Sequence, residues 1–159
     1  MPHGKLYRVF YCSRQTAEAA ANLDVVVQQI IAASIRRNRS VGLTGLLLTV
    51  QGSFIQALEG DVDAVRETYA RISMDSRHHD LRIVSQGAAD RRLFGDWDMC
   101  ARSLAPSDTA IVEVLDAKAG FNTRALTPAS VERLLVTVAA IQRRTAHSGA
   151  VASRAVEPI

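Results

Sequence analysis

At 159 residues, with 48% hydrophobic and 22% charged residues, the chain has the length and composition of one globular domain able to bury a core without disulfides or metals. Its two cysteines, Cys12 and Cys100, have neither CxxC nor Cys/His ligand spacing, so a disulfide framework or zinc site is not supported and both are expected to be small packing residues. The net charge of +3 comes from scattered arginines, so a nucleic-acid surface is not implied; with no membrane-length apolar run and no signal-peptide hydrophobic region, the chain is expected to be cytoplasmic.

Lys5 to Cys12 is rich in aromatic and branched residues and predicts a first strand that stops at the turn-like Ser13-Arg-Gln-Thr16. Asn22 or Asp24 caps a helix whose apolar positions Leu23, Val26, Val27, Ile30 and Ile31 recur at helical spacing to about Asn38, with Ile30, Ser34 and Asn38 in one row. Leu43 to Val50, the turn signal Gln51-Gly52, and Gly52 to Gly60 predict a hairpin. Asp61 then caps a second helix with the stripe Val62, Val65, Tyr69 and Ile72, ending near Asp75. A polar loop with His78 and His79 leads to a fourth strand, Leu81 to Gln86, and a short fifth strand runs from Trp97 to Arg102. Two further helices are predicted over Ser107 to Lys118 and over Pro128 to about Arg144, and His147 to Ile159 reads as a frayed tail.

This βαββαββ order predicts an α+β, ferredoxin-like fold: two helices on one sheet face, the two C-terminal helices on the other. Within the hairpin, Phe54, Gln56 and Leu58 share a face, so an amide points into an apolar layer. Its donors and acceptor need polar partners, since leaving each unpaired costs about 1–3 kcal/mol. With the first strand beside the hairpin, Tyr11 reaches Gln56. If the two helices lie side by side, Ile30 and Ile72 face each other across a gap that would hold a flat ring, with Asn38 at one helix end and Arg71 and Asp75 at the other. Taken singly, the isoleucines are plain core, Asn38 is a helix C-cap, and Arg71 with Asp75 is a surface ion pair.

Together these residues resemble the BLUF family, the blue-light sensors using flavin. The resemblance covers about residues 5–103 through Leu6-Tyr-Arg-Val-Phe-Tyr-Cys-Ser13, Asn38, Gly42-Leu-Thr-Gly-Leu-Leu47, Phe54-Ile-Gln-Ala-Leu-Glu-Gly60, Tyr69-Ala-Arg-Ile72, Asp75-Ser-Arg-His78 and Phe94-Gly-Asp-Trp-Asp-Met99. It implies a flavin-binding domain over 1–103, a helical extension over 104–146 and a tail over 147–159, as in the short, single-domain members without an enzymatic output of their own. It implies FAD, with FMN or riboflavin as substitutes, held by Tyr11, Ile30, Asn38, Gln56, Arg71, Ile72, Asp75 and His78. Tyr11 matches the photoactive tyrosine, Gln56 the switching glutamine, and Trp97 with Met99 the pair that responds to light. Light is expected to draw an electron from Tyr11, move its proton through Gln56, and leave the amide rotated or tautomerised. Arg37 departs from the pattern, standing where many relatives have a second asparagine.

The implied output is a changed interaction with a separate protein, such as an EAL-type cyclic-di-GMP phosphodiesterase or a transcription regulator, with neither nucleic acid nor membrane as direct partner and with a homo-oligomer expected. Two other readings fit the topology. An acylphosphatase-like hydrolase would need a Gly-rich anion loop beside an arginine near the first strand, which the sequence lacks. A colourless interaction or RNA-binding module would, in its RNA version, need a basic and aromatic motif that is also missing.

Overall fold

The computed structural model describes residues 5–103 and 123–148. Strand β1, Leu6–Gln15, continues through the residues expected to turn. Arg14 and Gln15 still pair with His79 and His78, the Gln15 N–H donates to Gly52 O at 2.8 Å, and its side-chain amide donates to Ser53 O at 3.0 Å. Thr16 then caps a short helix α1, Ala17–Ala21, which the sequence pattern did not signal; its hydroxyl accepts the Ala19 N–H at 3.1 Å.

Helix α2, Leu23–Val41, ends at Gly42, whose N–H donates to Asn38 O. Strands β2, Thr44–Val50, and β3, Ser53–Asp61, form the predicted hairpin. Its two-residue turn needs positive φ at both positions, met by Gln51 at 43° and by Gly52 at 79°. Helix α3, Val62–Ser73, starts where Asp61 accepts the N–H groups of Asp63 and Ala64, as a side-chain cap should.

The next two strands differ from expectation at their ends. Strand β4, His78–Ala88, begins three residues early because β1 extends far enough to pair with it. Strand β5, Cys100–Ser103, starts late: Trp97 turns its N–H back to Phe94 O and gives its carbonyl to the Gly45 N–H, both at 3.2 Å, which keeps Trp97 to Met99 out of the ladder. The expected helix over Ser107 to Lys118 lies outside the described residues, as do 149–159 of the expected tail. Helix α4, Pro128–Ser148, runs on past Arg144 and takes in His147 and Ser148.

The five strands lie in the order β4-β1-β3-β2-β5, antiparallel except for the parallel β2/β5 pair. The alternation of β3 divides the core. Phe54 and Leu58 pack with Val9, Tyr11, Leu47 and Met99 under α2 and α3. Ile55 and Ala57 pack with Phe10, Leu46, Leu48, Phe94 and Trp97 under Val131, Leu134, Leu135 and Val138 of α4. Both cysteines are buried on this second side as free thiols, in agreement with their packing role.

Candidate functional site

The site begins with strand register. β1 and β3 run antiparallel with Tyr11 directly opposite Gln56, and β2 sets Leu47 opposite Gln56 on the other side. Side chains directly opposite share a face, so phenol and amide meet under α2 and α3. The Tyr11 hydroxyl donates to Gln56 Oε1, and Gln56 Nε2 donates to Met99 Sδ at 3.3 Å. Gln56 is 3% exposed, so the polar partners its position demanded are supplied by the fold itself. The orientation of the amide follows from its neighbours: a thioether can only accept, so the NH₂ end faces Met99 and the oxygen faces Tyr11.

Tyr11 is buried and its ring meets the edge of Tyr69, with centroids 5.3 Å apart. Burial, with Tyr69 and Asp75 nearby, pushes its phenol well above the ordinary value of 10.0. At neutral pH it therefore keeps its proton. Met99 has room beside Gln56 because residue 45 is glycine: a Cβ there would lie 2.9 Å from Met99 Cε and 2.2 Å from Ala57 O.

Above these groups opens a cleft of about 390 Å³, counting the space at its mouth that is open to solvent, lined by Tyr11, Leu47, Phe54 and Gln56 from the sheet, by Ile30 and Ser34 of α2, and by Ile72, Asp75, Arg77 and His78 from the end of α3 and the start of β4. Ile30 and Ile72 thus both line one cleft. Asp75 and His78 line it too. Asn38 does not: it is buried at the end of α2 and donates to Asp98 O at 2.7 Å. Arg71 is exposed and outside the lining. The partner of Asp75 is Arg77, whose guanidinium reaches the carboxylate at 2.5 Å and whose backbone N–H adds a bond of 2.9 Å. Those bonds hold the Asp75 carboxyl below its ordinary value. His78 is half-buried with both nitrogens engaged: Nε2 must donate to Ile72 O at 2.7 Å, which leaves Nδ1 to accept from the Ser13 hydroxyl at 2.7 Å.

Trp97 and Met99 are separated. Met99 lies in the cleft-side layer against Gln56, whereas Trp97 packs in the α4-side layer with Arg143 over its ring, 5.1 Å from the centroid. Four lining residues were not singled out from sequence: Ser34, Leu47, Phe54 and Arg77. Ser34 stands on the Ile30–Asn38 row, Leu47 and Phe54 follow from hairpin register, and Arg77 lies inside the motif Asp75-Ser-Arg-His78. Among the described residues no group of His, Cys, Asp and Glu could hold a metal ion, and no helix is long and apolar enough to cross a membrane.

The cleft has two apolar walls, a floor with one phenol and one amide, and a rim with a carboxylate and a guanidinium. That arrangement suits a flat heteroaromatic ring whose faces are apolar and whose edges hydrogen-bond. The photoactivated adenylate cyclase subunit alpha of Euglena gracilis is 34% identical over 137 residues; the match takes in 83% of this chain and 13% of the relative, so the chain spans only a small part of that protein's length. The dark-state structure of BlrB, described as a BLUF protein, is 33% identical and superposes with a TM-score of 0.66 over 88% of this chain and 99% of that one. The photo-activated state of BlsA shares the fold, with a TM-score of 0.75 over 84% of this chain and 94% of that one at 20% identity. Residues 6–100 match the family model "Sensors of blue-light using FAD", and the chain belongs to that family, the BLUF blue-light sensors.

Proposed function

We propose that the chain binds a flavin non-covalently, with its ring in the cleft between Ile30 and Ile72, and that light resets the hydrogen bonds of Gln56. The observation that carries this reading is the unbroken row Tyr11–Gln56–Met99, whose first two members line the cleft floor: a redox-capable phenol bonded to an amide with two usable ends.

The residues present fit the group. Isoleucines on both sides suit the faces of a ring, and Gln56, Asp75 and Arg77 suit its polar edge. All of these residues address the ring rather than the rest of FAD, which makes FMN and riboflavin workable substitutes. Asn38 and Arg71 remain proposed ligands through changed side-chain positions, since Asn38 is committed to Asp98 O and Arg71 lies in solvent.

A bound flavin supplies a strong oxidant when it absorbs blue light. Tyr11 is the electron donor, and because its phenol is held neutral its proton leaves in the same event, through the existing bond to Gln56 Oε1. Gln56 passes the proton on, the electron and a proton then return to Tyr11, and the amide alone comes to rest rotated or tautomerised. The two outcomes differ at Met99. Rotation turns the carbonyl oxygen toward a sulfur that has no proton to give and breaks that bond; tautomerisation in place keeps an N–H there. Either way the change can move the equilibrium of the surrounding fold by no more than the difference in bonding between the two states.

The output is a changed interaction with a separate protein. A cyclic-nucleotide enzyme is the favoured class, since a relative is named as a photoactivated adenylate cyclase subunit; a cyclic-di-GMP phosphodiesterase and a transcription regulator are the others. Purification tests the core of the reading: the protein should carry extractable flavin, and its absorption should shift reversibly to the red under blue light. A colourless protein that cannot be reconstituted with FAD, FMN or riboflavin would overturn it.

A further inference from the structure

We propose that Arg143 is a positioning residue through which helix α4, on the far side of the sheet, and the Gln56 amide bias one another; this rests on the function proposed for the cleft. The sheet separates the two. Gln56 lies over its α2/α3 face and α4 packs on the other. The stretch Leu93 to Met99 passes from one layer to the other, with Trp97 in the α4-side core and Met99 in the cleft-side core.

Arginines from helices on opposite faces grip that stretch. On the cleft side, Gln56 Nε2 donates to Met99 Sδ at 3.3 Å, Asn38 donates to Asp98 O at 2.7 Å, and Arg39 pairs with the Asp98 carboxylate at 2.9 Å. On the α4 side, Arg143 donates to Leu93 O at 2.8 Å, pairs with the Asp96 carboxylate at 2.5 Å, and covers the Trp97 ring. Asp96 and Asp98 flank one tryptophan and are held from opposite faces. The upstream end is fixed: the fully buried Glu59 accepts the N–H groups of Leu93 and Phe94 at 3.0 and 2.6 Å. Movement of Met99 is therefore taken up downstream of that anchor, where Arg143 holds Asp96 and Trp97.

The contact is cheap to remove. The side chains of Arg143 and Asp96 are 41% and 58% exposed, and exposed pairs contribute little to stability, so variants should fold. Coupling is reciprocal: if Gln56 biases α4, then α4 biases Gln56 by the same factor. Arg143 touches neither Tyr11 nor Gln56, so its loss should leave the red shift intact and alter the return to the dark state.

The test uses the full chain with flavin. Arg143→Ala should give a normal red shift, a dark-recovery rate changed about fivefold or more, and loss of the light-dependent change in amide hydrogen exchange along α4. Arg143→Lys, which keeps the charge but loses the planar fork and the stack, should fall between. Recovery within about twofold of the unmutated chain, with α4 exchange still responding to light, would overturn the proposal. An unmutated chain that shows no red shift would speak against the proposed light response instead. The coupling is then read in the dark, in a double-mutant cycle of Arg143→Ala with Met99→Leu. Unfolding constants that depart from multiplicative by about threefold or more uphold it, and agreement within about 1.5-fold overturns it.

Discussion

On the α4 side of the sheet, Phe10, Leu46, Leu48, Ile55 and Ala57 close against Val131, Leu134, Leu135 and Val138, and hydrocarbon fills the space between them. On the α2/α3 side the same strands present Tyr11 and Gln56 among Leu47, Phe54 and Leu58, and a cleft of about 390 Å³ remains between the helices. One face is packed to hold the fold together. The other gives up packing for a shaped opening with a short polar row at its base. The difference teaches where stability and function should separate when each face is disturbed.

The largest effect is expected on the filled face. Leu135 is fully buried, and Leu135→Ala should lower unfolding free energy by about 2–5 kcal/mol in denaturant while leaving the flavin spectrum of the folded protein unchanged. Ile72 is only half-buried, so Ile72→Ala should cost the flavin-free chain less and weaken flavin binding instead. Equal stability losses with unaltered flavin affinity would erase the distinction between the faces.

A smaller effect is expected in the polar row. Gln56→Leu strands the Tyr11 hydroxyl in an apolar layer and should cost about 1–3 kcal/mol. Adding Tyr11→Phe removes the stranded group, so the double variant should recover much of that loss. If the second change costs as much again, the two side chains are not partners.

The smallest effect lies at the rim. Arg77 holds the Asp75 carboxyl below its ordinary 3.8, so the pair stabilises the fold above that pH and the contribution fades as pH falls through the lowered value. The two side chains are 34% and 28% exposed, and this partial access of water screens the pair to about half a kcal/mol or less. Asp75→Asn should therefore lower stability by that small amount at neutral pH and flatten the acid limb, so that the two proteins converge below about pH 4. Acid unfolding curves of the two proteins provide the check.

Much of this contrast was legible in the sequence. An amide between Phe54 and Leu58 marks the cleft-side face through strand alternation alone, and Asp61, Gly42 and Gln51-Gly52 signal their cap, stop and turn through local chemistry. What local chemistry could not convey was pairing at a distance. Ser13 to Gln15 read as a turn, yet join β1 because β4 and the hairpin supply partners for their backbone. Trp97 and Met99 read as one strand, yet part company because Gly45 captures Trp97 O and opens the space that Met99 fills. Arg77 sits two residues from the carboxylate it neutralises, closer in sequence than the i,i+4 spacing that pointed to Arg71.

The central claim is that Tyr11, through Gln56, is the group that responds to light. Light-minus-dark absorption spectra of the unmutated chain and of Tyr11→Phe, each loaded with flavin, test it directly. The unmutated chain should shift to the red and recover in the dark, while Tyr11→Phe should retain its flavin and show no shift. A Tyr11→Phe protein that shifts and recovers like the unmutated chain would contradict the claim.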